Sequence, residues 1–516
     1  MTEPKETFIS YQQFPSYFEI MITRFPRNLL PALLASLAIP LSFLGATDQR
    51  PNILWFVVED MSAHLGVYGE KTVTTPHVDR LSAEGVRFDN AIVTAPVCST
   101  NRSAMITGMY QTSIGAHQHR SSRGTEKIHL PAQVKLIPKY FQEAGYHTSN
   151  GRSDFLVKEA KGTQRMGKTD YNFEYDPGVY NSARWDDRKP GQPFFAQVQL
   201  RGGKFRKVTR SPEAKNIELV NPDEVSLPPY YPDHPVIRND WADYLNSVNY
   251  VDYELGQILA KLEADGDLEN TIIFFLTDHG VSHARGKQFC YEEGARVPLI
   301  VWSPQRLKPA VRKDLVAHID IAATSMRFAG ITIPDYLESR PMFGKDSKSR
   351  EYVVTARDRC DETVERIRSV RTDRFKYIRN YLNERPHLQP CAYKDKKPII
   401  VALREWHSEG KLSSLQEELL FAPIRPKEEL YDLKTDPWEL NNLADHPRYQ
   451  KHLKTLRGHL EEWIEESGDR GQRPESPAMY DSDMEVYLKG MKKDPAHAQV
   501  IRDNIAQMKR WAAQGK

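Results

Sequence analysis

Residues 51–58, Pro-Asn-Ile-Leu-Trp-Phe-Val-Val, run without a charge and end abruptly at Glu59-Asp60. A strand with one face in water alternates polar and apolar side chains, so an unbroken apolar run of this length reads as a parallel strand buried on both faces, with its acids at the carboxyl end. The same pattern returns at residues 271–276, which lead into Thr277-Asp278-His279-Gly280, and at residues 193–200. Helical patterns lie between these runs, at 134–144 and, long and amphipathic, at 241–265. Strands alternating with helices predict an α/β fold, a sheet with helices on both faces. Such sheets bind ligands beyond the carboxyl ends of their strands, so the acids of both strand ends are expected on one rim.

At 516 residues the chain is too long for one ordinary core, and two domains are expected. Beyond the apolar run 297–302, residues 320–329 read as a helix closed by Gly330, and 341–349 as a polar linker. Residues 351–355, 367–371, 375–378 and 429–433 then read as strands of a smaller, separate sheet, followed by a charged, mostly helical tail from His446. The division is 1–46, an N-terminal extension with signal peptide; 47–345, the larger α/β domain; and 346–516, a C-terminal subdomain with the small sheet and helical tail. Arg24 and Arg27, the apolar run 29–44 and Gly45-Ala46 have the layout of a secretory signal. Pro31 and Pro40 interrupt that run, which is short for a spanning helix, so no stable membrane span is expected and the chain reads as exported, periplasmic or secreted. A net charge of +2, spread without long blocks, excludes a nucleic-acid footprint. The four cysteines, Cys98, Cys290, Cys360 and Cys391, form none of the close pairs of zinc or redox motifs.

Chemistry is concentrated in Cys98-Ser99-Thr100-Asn101-Arg102 and the residues that follow to Gly108. A spacing of four puts Cys98 and Arg102 on one helical face, and a thiol at a helix start meets unpaired N–H groups that add positive potential where an oxyanion would sit. That arrangement suits attack on an anionic ester. Acids at two strand ends face each other for a reason when a hard cation lies between them, and Glu59, Asp60, Asp278 and His279 are the proposed ligands.

With Thr75–Phe88 before it and Ser103–Tyr110 after it, the Cys98 stretch strongly resembles the type I, formylglycine-dependent sulfatase family of the alkaline phosphatase superfamily. The resemblance covers most of residues 51–444, including Glu429-Leu430-Tyr431-Asp432-Leu433 and Asn442-Leu443-Ala444, which resemble the family's C-terminal subdomain. It implies an alkaline-phosphatase-like fold: a large, mixed, mostly parallel sheet flanked by helices, plus a smaller C-terminal antiparallel sheet. It also implies that a formylglycine-generating enzyme oxidises Cys98 to formylglycine, the nucleophile, and that Ca²⁺ is bound with the modified Cys98 completing its shell. Thr100 stands where the family's Cys-x-Pro-x-Arg motif has proline, and Glu59 where it has aspartate.

Further roles follow from the same resemblance. Arg102 would hold the nucleophile, and Lys287 and Lys168 would bind the sulfate. Asp170 stands where the family has a substrate-side histidine, a loss for which His117 and His119 could compensate, and Lys204 lies where many sulfatases have another substrate histidine. His283 is read as leaving-group acid or substrate contact. The implied activity is hydrolysis of a sulfate ester, or an N-sulfate, of a carbohydrate or glycosaminoglycan. Two alternatives stay open: a phosphoester or phosphonate hydrolase of the same superfamily, toward which Zn²⁺ or Mn²⁺ would point, and a non-catalytic glycan-binding relative.

Overall fold

The three apolar runs become adjacent strands of a seven-stranded sheet in the computed structural model, which describes residues 50–158 and 165–516. The signal segment 24–46 lies outside the described residues. In chain order the strands are β1 Asn52–Val58, β2 Val86–Ile92, β3 His147–Arg152, β4 Phe194–Leu200, β5 Thr271–Thr277, β6 Arg296–Trp302 and β7 Ala310–Ala317, arranged β3-β4-β1-β5-β6-β2-β7. Every neighbouring pair is parallel except those made by β6, which runs against both β5 and β2. The sheet is thus mixed and mostly parallel, as expected. Register places Val58 opposite Leu200 on one side and Thr277 on the other, so the chain leaves β1, β4 and β5 at one level.

Both faces of β1 are buried. Ile53, Trp55 and Val57 pack with Ala104, Met105, Ile137 and Met326 from helices Cys98–Thr107, Ile137–Glu143 and Asp320–Phe328. Leu54, Phe56 and Val58 pack with Trp241, Leu245 and Val248 of the long helix Pro235–Ala264. Each such side chain taken from water contributes about 1.5–3 kcal/mol, which is why a strand with no polar face is stable only here. The long helix starts six residues before the expected 241, with Pro235 at its first turn and His234 accepting the Val236 N–H as cap.

Strand β3 carries little hydrophobic pattern, His-Thr-Ser-Asn-Gly-Arg, yet its first five residues are buried. Hydrogen bonds take the place of apolar contact: Thr148 Oγ1 donates to Val179 O at 2.8 Å and Asn150 Nδ2 to Gly167 O at 3.2 Å.

The second sheet is antiparallel, with β8 Val353–Arg357, β9 Ile367–Arg371, β10 Phe375–Asn380 and β11 Glu428–Asp432 in the order β11-β10-β9-β8. The tail forms helices Gln450–Ser467, Pro477–Gly490 and Pro495–Ala513. It is tied in by buried ion pairs: Arg368 Nε to Asp469 at 2.7 Å, and Arg359 to Glu475 at 2.6 Å and Asp483 at 2.8 Å. Among the described residues no helix is long and apolar enough to cross a membrane.

Candidate active site

The common level of β1, β4 and β5 sets up the site. Asp278 N–H donates to Val58 O at 2.8 Å, Gly203 N–H to Glu59 O at 2.8 Å and Met61 N–H to His279 O at 3.1 Å, so three chain exits are laced together. Asp60 takes a positive φ of 53° there, and its N–H donates to Asp278 Oδ1 at 3.0 Å. Gly202 and Gly203 allow the close approach: a Cβ on either would lie 2.1 Å from the carbonyl oxygen of Glu59 or Asp60. Lys204, the next residue, is thereby brought over the acids.

Helix Cys98–Thr107 points its first turn at this rim, and all ten of its residues are buried. Asn101 Nδ2 donates to Asp278 O at 2.6 Å, which locks the helix start to the end of β5. Thr100 Oγ1 donates to Val97 O at 2.8 Å. The Cys98 thiol, only 2 % exposed, lies 2.9 Å from Lys287 Nζ, 3.0 Å from His279 Nε2, 3.8 Å from Asp60 Oδ1 and 3.9 Å from Lys204 Nζ. Burial alone would push the thiol up, but Lys168, Lys204, Lys287 and His279 together pull it down to about 6.

The carboxylates are held ionised by the same cations. Against the effect of burial, Lys287, Lys204 and His279 keep Asp60 well below the usual range, and His279 and Arg102 lower Asp278. Arg102 turns its guanidinium to Asp278 Oδ2 at 3.0 Å and Gln199 Oε1 at 2.7 Å, which makes it the anchor of Asp278. Lys287 Nζ lies 3.3 and 3.4 Å from the two Asp60 oxygens. Donor atoms of Asp60, Cys98, Asp278 and His279 all lie within 4.8 Å of one another, and all four residues are buried. Two ionised carboxylates and an imidazole nitrogen converging beside residue 98 fit a divalent cation, with His279 the one donor softer than calcium prefers. Glu59 is not among the four. Its carboxylate pairs with Lys204, with Lys168 at 3.5 Å and with Arg102 at 3.8 Å.

A pocket of about 200 Å³ opens above the thiol, and among its lining residues are Lys168, Lys204, Lys287, His119 and Asp170. Lys168 bonds Glu59 and also lies 3.5 Å from Asp170, whose other partner is Arg123. His119 Nδ1 shares a proton with Ser99 Oγ at 2.7 Å, and burial and nearby Arg120 hold its imidazole well below the ordinary range, hence neutral. Two expected site residues lie elsewhere. His283 is fully buried behind the rim, 2.9 Å from Arg206 Nη2 and 3.3 Å from Asp240 Oδ2, and burial pushes it down to about 3. His117 does not line the pocket; burial and the Arg368 charge push it down to about 4.

Sequence reading missed Tyr393, Asp361 and Arg120, all of which line the pocket. Tyr393 Oη donates to Asp60 Oδ2 at 3.0 Å, and Lys287 Nζ sits 4.7 Å from its ring centre. The neighbouring Lys394 donates to His283 O at 2.9 Å and to Lys287 O, clamping the loop that carries Lys287. Both sit on the single-turn helix Ala392–Asp395, too short to leave a periodic signal in the sequence, so only the folded chain reveals them. Arg120 was legible by position alone, next to His119; its Nε meets Asp361 at 3.2 Å.

Residues 51–331 of the chain match the family described as "Sulfatase", and residues 279–389 the one described as "N-sulphoglucosamine sulphohydrolase, C-terminal". An ulvan-active sulfatase of Formosa agariphila is 34% identical over 474 residues, spanning 83% of this chain and 77% of the relative. The human N-sulphoglucosamine sulphohydrolase is 24% identical over 494 residues, 85% of this chain and 94% of its own. In fold, a solved 2-O GAG sulfatase superposes with a TM-score of 0.58 at 20% identity, covering 84% of this chain and 96% of the other.

Proposed function

Because the chain belongs to the sulfatase family, enzymes that hydrolyse sulfuric esters, we propose that it removes an O- or N-linked sulfate from a sulfated carbohydrate, through formylglycine formed from Cys98 and a bound Ca²⁺. The observation that carries this reading is the thiol of residue 98 held between Lys287 Nζ and His279 Nε2 on the floor of a pocket lined by three lysines. The names of the ulvan-active and N-sulphoglucosamine relatives support a carbohydrate substrate. Residues 47–345 are read as the catalytic domain and 346–516 as its C-terminal subdomain; the signal-like segment supports export to the periplasm or beyond the cell, where a formylglycine-generating enzyme is the partner needed for maturation.

Residue 98, once oxidised and hydrated, would supply one hydroxyl that bonds to sulfur, losing its proton, as the bond from sulfur to the departing alcohol or amine breaks, and a second hydroxyl whose deprotonation would re-form the aldehyde and release sulfate. Asp60, Asp278, His279 and residue 98 would hold the cation, which would supply fixed positive charge to the site. The chain's own groups do the rest. Lys168, Lys204 and Lys287 surround the place where the nonbridging sulfate oxygens gain charge, and they are positioned before substrate arrives, so little reorganisation accompanies reaction. Arg102, tied to Gln199, keeps Asp278 aimed at the cluster. The near-total burial of residue 98 excludes bulk water from the attacking side. With His283 neutral and behind the rim, the leaving oxygen meets the N–H donors that line the pocket, among them Lys204 and Lys168.

Peptide mass spectrometry across residue 98, in protein coexpressed with the maturation enzyme, tests the reading together with paired assays on aryl sulfate and aryl phosphate esters. Formylglycine with preferential sulfate release is expected. Unmodified thiol in fully active protein, or preferential phosphate release, would defeat it; binding without turnover would instead favour the glycan-binding alternative.

A further inference from the structure

A second cavity, of about 580 Å³, uses none of the residues that line the Cys98 pocket. It opens beside segment 62–72 and the 291–296 turn, with Trp438 at its mouth. Tyr230, Trp241 and Arg285 line it, each 1 % exposed. Among the described residues Tyr230 Oη, Trp241 Nε1 and Arg285 Nη1 meet no hydrogen-bond partner, nor does Glu293 Oε1, which lies 3.6 Å from His64 Nε2. Buried polar atoms are nearly always paired, so three donors and an acceptor around one cavity point to a polar occupant. Trp438 is 40 % exposed and edges onto Tyr230, offering the aromatic face against which a sugar ring packs.

A smaller cavity of about 350 Å³ shares Tyr68, Glu292, Arg296 and Pro437 with the first, and adds Arg87 and Arg371. Its guanidinium groups outnumber its carboxylates. Arg87 Nε meets Asp89 at 3.0 Å, while Arg296 at 3.6 Å and Arg371 at 3.5 Å share Glu292, which Lys376 also holds at 2.7 Å. Arg371 Nε is buried without a hydrogen-bond partner among the described residues. This end is therefore complementary to an anionic group, best met by guanidinium forks. The larger cavity is lined by Glu70, Glu224, Glu293 and Glu439 beside Lys71 and Arg285, so an anionic group is met better in the smaller one.

We propose that the joined cavities form a second glycan-binding groove, taking an oligosaccharide with its sulfate or carboxylate against Arg87, Arg296 and Arg371 and a neutral ring against Trp438. Such a groove would hold a polymeric substrate on the enzyme between turnovers at the Cys98 pocket.

Native gel electrophoresis of the full chain through ulvan or alginate tests this, with Trp438→Ala, Trp438→Phe and Arg296→Ala compared against the parent. Retardation of the parent is expected, about tenfold weaker in Trp438→Ala and Arg296→Ala, restored in Trp438→Phe, with turnover of 4-nitrophenyl sulfate unchanged. Retardation in alginate assigns the anionic end to carboxylate, and in ulvan alone to sulfate. The proposal is overturned if neither polymer retards the parent, if both alanine variants are retarded like the parent, or if Lys287→Ala alone abolishes retardation. Absence of aryl sulfate turnover in the parent would bear on the function proposed for the Cys98 pocket and leave the gel result standing.

Discussion

Lys287 is the residue on which the Cys98 pocket most depends, because its ammonium touches both the Cys98 sulfur and Asp60. Its replacement by alanine removes a preorganised charge from the sulfate side and is expected to lower kcat about 10²–10³-fold on an aryl sulfate, measured with maturation at residue 98 verified by mass. Tyr393 acts through Asp60: Tyr393→Phe deletes a hydrogen bond to a proposed metal ligand, and the half-saturating Ca²⁺ of chelator-stripped enzyme is expected to rise about 10–100-fold while the maximal rate is preserved. Thr100 illustrates how a motif can vary without cost to the backbone. It is the third residue of its helix, where the N–H has no intrahelical acceptor, so proline and threonine are equally compatible with the turn, and the threonine hydroxyl adds a bond to Val97 O. Asp60, Cys98 and Asp278 were legible because strand ends and a helix start announce themselves in sequence. Tyr393 and Asp361 were not, since their importance comes from where distant loops are folded.

At the level of elements, apolar continuity located β1, β4 and β5 to within a residue, and the C-terminal strands were read nearly as well. β3 escaped because its buried side chains are polar and satisfied by neighbours, so hydropathy carried no signal. The helix Pro76–Glu84 shows a further tie that periodicity cannot reveal: its own Thr75 caps no N–H with its side chain, which donates to Asp79 Oδ1 at 3.2 Å instead, and Asp252 from the long helix accepts the N–H groups of Val78 at 2.8 Å and His77 at 3.3 Å. Burial pushes Asp252 up to about 7 despite those N–H donors. A carboxyl raised in the folded state stabilises the fold at low pH and loses that contribution as pH rises, here from about 4 to 7. The unfolding temperature of the parent should therefore fall across that window through this group. Asp252→Asn, which keeps an acceptor oxygen but cannot ionise, should flatten the fall in a pH series of thermal melts.

For the whole molecule, the helical tail belongs to the same core as the sheets. Asp469, just past helix Gln450–Ser467, holds Arg368 of β9 at full burial, with Asp358 at 3.2 Å the only other carboxylate paired with it among the described residues. Truncation as Asp469→Ala leaves a buried guanidinium under-compensated, and a loss of about 3 kcal/mol is expected in denaturant unfolding, more than a surface pair would cost.

The Tyr393 contact also orders events in time. The lid over the Asp60 end of the pocket comes from a segment made more than three hundred residues after the strand it covers. During synthesis, therefore, the Asp60 end of the pocket keeps its last wall open until residue 393 has been translated and docked, whereas Lys204, His279 and Lys287, which touch the sulfur at position 98, are already made.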